Sequence, residues 1–249
     1  MELKRAGNKR LWITLAAVCL SLALIFGACA AYLSDYYRAD APAIAAFLEQ
    51  GSSWKEEPNG NLVFGPQDAE VGFIFYPGGK VEHTAYLPLA HLLAEQGILC
   101  VIAEMPFRLA VLDMNAADAV MRDYPSVTDW YIGGHSLGGS MAASYAAANT
   151  DAVRGLVLLG AYSTADLSTS AVSVLSLYGS EDGVMNREKY EDCKSNLPKN
   201  FTEILIEGGN HAGFGLYGEQ AGDGAATLSG EEQIRLTADA ILNMIQGEN

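Results

Sequence analysis

Cations, cysteines and histidines are all scarce in this chain of 249 residues. Lys and Arg number 15 against 30 Asp and Glu, for a formal net charge of −15. In the first ten residues, Lys4, Arg5, Lys9 and Arg10 against Glu2 give +3, so the remainder carries −18. A surface with no basic stripe repels phosphate backbones, which excludes nucleic acid as a partner. Of the 4 cysteines, Cys19 and Cys29 fall in an apolar run, Cys100 in a strand-like segment and Cys193 in a polar helix candidate. Their number and spacing fit neither a zinc site nor a disulfide scaffold, and Cys100 reads as a small core residue. No His/Cys/Asp cluster has ligand spacing, so no metal is expected. No internal repeat or low-complexity tract is present.

Apolar residues are abundant, at half of the chain. That suffices for one sizeable core in a single α/β domain. The apolar run Leu11 to Leu33 has 23 residues and no charge, and about 20 in a helix cross the hydrocarbon core of a bilayer. Basic residues precede it and none follows before Arg38. This bias places the N-terminus (1–10) in the cytoplasm and the globular part outside, as a single-pass protein of the cell membrane. The length favours a retained signal-anchor over 11–33, since a cleaved signal peptide has an apolar region of roughly 7–15 residues. Cleavage near Ala28, Ala30 and Ala31, giving a secreted form, and lipid attachment at Cys29 are the competing readings. Residues 34–60 read as a juxtamembrane connection, with a short helix over Ala41–Gln50 and a polar turn in SSWKEEPNGN.

From residue 61 a regular alternation begins. Val71–Tyr76, Ile98–Ala103, Trp130–Ile132, Gly155–Leu159, Val172–Tyr178 and Ile204–Ile206 are apolar runs of strand length, and Asn61–Phe64 suits an edge strand. Thr84–Gln96, Leu109–Arg122, Leu137–Ala148, Asn186–Asn196 and Glu231–Gln246 are helix candidates. Continuous apolar strands alternating with amphipathic helices predict an α/β domain over 61–249, a mostly parallel sheet covered on both faces. Ligands bind such sheets at the carboxyl ends of the strands.

One of those ends reads GGHSLGG, residues 133–139, and contains G-x-S-x-G as Gly134, Ser136 and Gly138. Alone the pattern is weak, but here it joins the strand ending at Ile132 to an Ala-rich helix beginning at Leu137. A sharp strand-to-helix turn strains the nucleophile's backbone and demands small neighbours. The helix amino terminus also directs N–H groups and a positive dipole end at the serine. Ser136 is therefore the candidate nucleophile.

A serine needs a base, and the base needs an orienting acid. In this arrangement the chain order is Ser, acid, His. Only His211, in GGNHAGFG, follows Ser136. Of the others, His91 lies inside a helix candidate, His135 abuts the serine but points elsewhere, and His83 is a weaker candidate for substrate contact. The acid should leave the strand ending at Tyr178, where GSEDG offers Glu181 and Asp182, with Asp182 preferred after the Gly179-Ser180 turn. Two backbone donors should face the developing oxyanion: Leu137 N–H, and Gly79 N–H in PGGKVEH, with Lys80 as the alternative.

PGG at 77–79, GHSLGG at 134–139, YGSEDG at 178–183 and GGNHAGFG at 208–215 together resemble the α/β-hydrolase superfamily over roughly residues 60–246. The chain looks most like the small bacterial serine hydrolases related to dienelactone hydrolase and the fold-5 branch, which MPFRLAV at 105–111 and YGEQAGDG at 217–224 also resemble. The resemblance implies a carboxylic ester hydrolase or acyl-transfer relative, without cofactor, using Ser136, Asp182 and His211. Two departures stand out. Pro77 replaces a histidine common among relatives, which alters the support of the oxyanion loop. Dienelactone hydrolases use a cysteine nucleophile, so Ser136 argues against that substrate.

Only AYSTADLSTSAV separates two strands where many lipases insert a cap, so no large lid is expected. The open site disfavours an interfacial lipase and favours small or extended soluble acyl substrates. The loop after His211 could fold over the crevice, while Arg108 and Tyr162 are left outside the site. Ser136 excludes chemistry that needs an Asp nucleophile. Thioesterase, amidase or acyltransferase activity would use the same three residues, and a catalytically silent scaffold is the alternative of another class. The oligomeric state is not legible from the sequence.

Overall fold

Successive side chains of a strand point to opposite faces, so a continuously apolar strand needs a hydrophobic layer on each. The computed structural model describes residues 2–48 and 54–247. Its sheet has eight strands: β1 (Trp54–Glu56), β2 (Leu62–Phe64), β3 (Val71–Tyr76), β4 (Leu99–Ile102), β5 (Asp129–His135), β6 (Gly155–Leu159), β7 (Ser173–Gly179) and β8 (Thr202–Ile206). They lie in the order β1-β2-β4-β3-β5-β6-β7-β8. β2 runs antiparallel to β1 and β4, and the remaining pairs are parallel. The chain leaves β3 toward β4 on one side and continues through β5 on the other. This reversal opens a crevice at the carboxyl ends of β3 and β5, where Tyr76 pairs with Gly134.

The helices are α1 (Glu2–Ser34), α2 (Ala41–Leu48), α3 (Leu87–Ala94), α4 (Ala116–Asp123), α5 (Leu137–Ala148), α6 (Arg187–Cys193) and α7 (Gly230–Gln246). On one face of the sheet Phe73, Phe75, Cys100, Val157 and Leu177 pack with α2, α3 and α7. On the other face Ile74, Val101, Ile132, Leu156 and Val174 pack with α4 and α5. Adjacent residues of one strand thus enter different cores, which is why these strands read as unbroken apolar runs. The predicted α/β class, with a mostly parallel sheet and helices on both faces, matches this architecture.

The helix expected over Leu109–Arg122 is shorter. Residues Ala110–Leu112 form a 3-10 turn, and α4 begins only at Ala116. Before it, Phe107 and Arg108 adopt left-handed backbone (φ 53° and 60°), which no α-helix continues. Between β6 and β7, residues 160–172 contain no helix.

The chain divides into two compact units, 1–36 and 37–249. In the first, Leu11–Ser34 is a helix of 24 residues with mean hydropathy 2.4, long and apolar enough to cross a membrane. The second contains part of the stretch read as a connection. α2 buries Ile44, Phe47 and Leu48, and β1 pairs with β2 where a polar turn was expected. All three residues of β1 are exposed, so no burial pattern marks it in the sequence. The ends of the predicted helix and turn, residues 49–53, lie outside the described residues.

Candidate active site

Ser136 follows β5 directly and caps the amino end of α5 with φ 53° and ψ −121°, a region that non-glycine residues rarely occupy. Its N–H donates to Leu159 O (2.9 Å), which fixes the turn against β6. The glycines around it are steric requirements. A Cβ on Gly138 would overlap the carbonyl oxygens of Tyr76 and Pro77, because α5 starts on top of β3.

Asp182 and His211 come from the ends of β7 and β8 and meet through Asp182 Oδ2 and His211 Nδ1 at 2.9 Å. Both side chains are buried. The second carboxylate oxygen of Asp182 accepts the N–H groups of Val184 (2.9 Å) and Met185 (2.8 Å). Burial pushes the Asp182 carboxyl up, but His211 and these two N–H groups outweigh it and hold the group below the ordinary carboxylate range. An ionised Asp182 makes Nδ1 the protonated nitrogen of a neutral His211 and leaves Nε2 as a lone-pair base. That Nε2 is buried and has no hydrogen-bond partner among the described residues. Glu181 instead receives Ser180 Oγ–H on its carboxylate and does not meet His211.

The two halves approach through residues next to Ser136. Gly160, one residue beyond its Leu159 acceptor, lies so close that a Cβ there would stand 2.9 Å from His211 Nδ1. The His135 ring lies 4.5 Å from that of His211. Among the described residues no hydrogen bond joins Ser136 Oγ to His211.

Of the two candidate oxyanion donors on the β3 loop, Lys80 N–H is committed to Arg108 O (2.9 Å). Gly79 N–H and Leu137 N–H have no acceptor among the described residues. The two residues are neighbours: a Cβ on Gly79 would stand 3.0 Å from Leu137 Cδ2.

Three supports were not legible in the sequence. The first is Tyr86, which holds the loop after β3. Tyr86 Oη accepts Gly78 N–H (3.1 Å) and lies 2.9 Å from His135 Nδ1. Tyr86 has one proton to give, and donating it to Nδ1 leaves His135 protonated on Nε2. His135 Nε2 is buried and has no hydrogen-bond partner among the described residues, so either arrangement leaves one of the two protons without an acceptor. Burial and the neighbouring His211 ring hold His135 well below its usual pKa, and the His211 backbone, which favours protonation, does not offset them. The second support is Asp223. It accepts the N–H groups of His211 (3.2 Å), Ala212 (2.8 Å), Gly183 (3.0 Å) and Gly224 (2.9 Å). The third is Gln233 on α7, which exchanges two hydrogen bonds with the backbone of Asn210. A lone Asp between glycines and a Gln inside a helix carry no sequence signal for such roles.

The remaining histidines are structural. His83 Nε2 contacts Gly60 O and Glu104, both at 3.1 Å, and His91 pairs with Glu95 on its own helix. Among the described residues no cluster of His, Cys, Asp or Glu could hold a metal ion.

A search among curated proteins returned no match. Several solved structures share the fold. A CIB-like hydrolase from Thermoplasma acidophilum is 18% identical, with 78% of this chain and 100% of that chain covered and a TM-score of 0.56. Est1E from Butyrivibrio proteoclasticus, solved with ferulic acid bound, is 15% identical, covering 78% and 100%, with a TM-score of 0.57. A carboxylesterase from Bacillus subtilis is 12% identical, covering 83% and 95%, with a TM-score of 0.59. The sequence pattern of the Alpha/beta hydrolase family matches residues 72–235, more than half of the chain, so the protein belongs to that family.

Proposed function

We propose that the protein is a membrane-anchored serine hydrolase that cleaves a carboxylic ester, with Ser136 as nucleophile, His211 as base and Asp182 as orienting acid. The observation that carries this reading is the buried Asp182–His211 pair, whose Nε2 has no hydrogen-bond partner among the described residues and whose ring stands 4.5 Å from that of His135, the residue before Ser136. Hydrogen bonds to a catalytic base commonly tighten only once substrate is bound. Ser136 Oγ attacks the ester carbonyl carbon as its proton passes to His211 Nε2. The tetrahedral oxyanion accepts the N–H groups of Leu137 and Gly79. Collapse expels the alcohol oxygen, which takes the proton from Nε2, and leaves an acyl-serine. Water then attacks, His211 again takes and returns a proton, and a carboxylic acid leaves.

The names of the esterases that share the fold support an ester as the substrate class. Residues 11–33 serve as the anchor, with 1–10 in the cytoplasm and the catalytic unit outside. The test is labelling of the full chain with a fluorophosphonate. Wild type should label, Ser136→Ala should not, and His211→Ala should label at least ~100-fold more slowly. A folded wild type that takes no label would replace the enzyme with a silent scaffold.

A further inference from the structure

The folded unit starts at Tyr37, and Tyr37 is built into the mouth of the candidate site. Its N–H donates to Lys80 O (2.8 Å), and its carbonyl accepts Glu82 N–H (2.9 Å), so it pairs with the segment directly after Gly79. Its phenol oxygen accepts Ala221 N–H (3.3 Å), and its ring stands 5.7 Å from Tyr217, both in the segment that follows His211. The first residue of the unit is therefore stitched to the loop of the candidate donor Gly79 and to the segment after His211.

Only Asp35 and Tyr36 lie between Tyr37 and the end of the apolar helix at Ser34. Three residue steps reach at most about 10 Å. A helix of 24 residues is about 36 Å long, slightly more than the ~30 Å hydrocarbon core, which leaves Ser34 in the headgroup layer. The covalent tether alone thus keeps the Tyr37–Lys80 junction within about 10 Å of that layer.

A second observation points the same way. Outside α1, the most exposed large apolar side chains among the described residues are Phe107 (61%), Val111 (56%) and Leu112 (55%). All three lie on the loop after β4, and Arg108 O of that loop accepts Lys80 N–H. The left-handed backbone at Phe107 and Arg108 is costly for non-glycine residues, and it leaves the Phe107 ring in the open. Exposed aromatic and aliphatic side chains of this kind are what a bilayer interface takes up.

We infer that the mouth of the Ser136 site is held against the bilayer surface, with Phe107, Val111 and Leu112 inserted among the lipid headgroups, and that its substrate is an amphiphilic ester presented by the membrane. This inference rests on the anchored-esterase reading and sharpens its substrate class. It replaces the soluble substrates that the missing lid suggested: a lid shields an apolar site in water, and a site held at the interface does not need one.

The test uses the full chain in phosphatidylcholine vesicles, with Cys19, Cys29 and Cys193 replaced by alanine. A bimane label on Leu112→Cys should be quenched by headgroup-spin-labelled lipid several times more than one on Leu205→Cys, at the far sheet edge. Equal quenching overturns the inference, as does extraction of the unmodified chain by alkaline carbonate. A flexible Gly/Ser linker of ~20 residues inserted between Asp35 and Tyr36 should lower turnover of a vesicle-borne long-chain ester about tenfold, and leave a soluble short-chain ester unchanged. Phe107→Ser with Val111→Ser and Leu112→Ser should act in the same direction. An unchanged ratio of the two rates overturns the membrane-borne substrate. Turnover of neither ester overturns the ester-cleaving reading instead, and the quenching then decides the location of the site by itself.

Discussion

The turn at Ser136 is held by backbone packing, whereas the turn at His211 is held by side-chain hydrogen bonds. At the serine, β5, α5 and β3 approach so closely that Gly138 has no room for a Cβ, and the geometry is enforced by exclusion. At the histidine, Asp182, Asp223 and Gln233 tie down the loop through partners distant in sequence. A sterically enforced turn tolerates no added atom and fails as a whole. A polar web loses its members one at a time, and each loss misplaces His211 by a little.

The sharpest break of this contrast is Gly138→Val. With two carbonyl oxygens in the way, the variant should lose more than about 4 kcal/mol and fail to give a cooperative melt. A stable, labelled Gly138→Val protein would mean that the elbow can relax. Asp223→Ala should keep the fold and lose function. Freeing its N–H partners should cost about 2 kcal/mol, roughly 5 °C in melting temperature, and displacing His211 should slow ester turnover about 100-fold. An unchanged rate would show that Asp182 alone positions the base.

Tyr86→Phe lies where the two regions meet, since the phenol holds both Gly78 and His135. Its loss loosens the loop of Gly79, the proposed oxyanion donor, without touching Ser136, so kcat should fall about tenfold while KM changes little. A change confined to KM would move Tyr86 from positioning the donors to binding substrate.

The smallest effect is expected from His135→Gln, read as stability against pH. Folded His135 is kept neutral, whereas the unfolded residue protonates near its ordinary value of about 6.5. As pH falls below that value the unfolded state gains a proton that the folded state refuses. Stability should therefore decline by at most ~1.4 kcal/mol per pH unit. His135→Gln should flatten the melting temperature between pH 7 and 5. Asp182 cannot mimic this, because its carboxyl is held below the ordinary range and its contribution is lost only at more acid pH. Equal slopes for wild type and variant would show that His135 takes up its proton in the fold.

Period and punctuation settled much of this protein. Strands buried on both faces must be apolar throughout, and a strand-to-helix turn this tight must be glycine-rich. β3 to β7 and the turn at Ser136 were therefore legible as local patterns, and β8, at the sheet edge, through its short apolar run Ile204–Ile206. Asp182 and His211 were legible through chain order, since each follows a strand whose carboxyl end must open on the crevice. The apolar helix announced itself by length and lack of charge. Tertiary structure alone decided what depends on partners far apart in the chain. β1 is an exposed edge that only pairing defines. Asp223 and Gln233 act through backbone groups that folding brings to them, and Tyr86 joins Gly78 to His135. Hydrophobic periodicity records which face of an element is buried, but a hydrogen bond between distant residues leaves no period in the sequence.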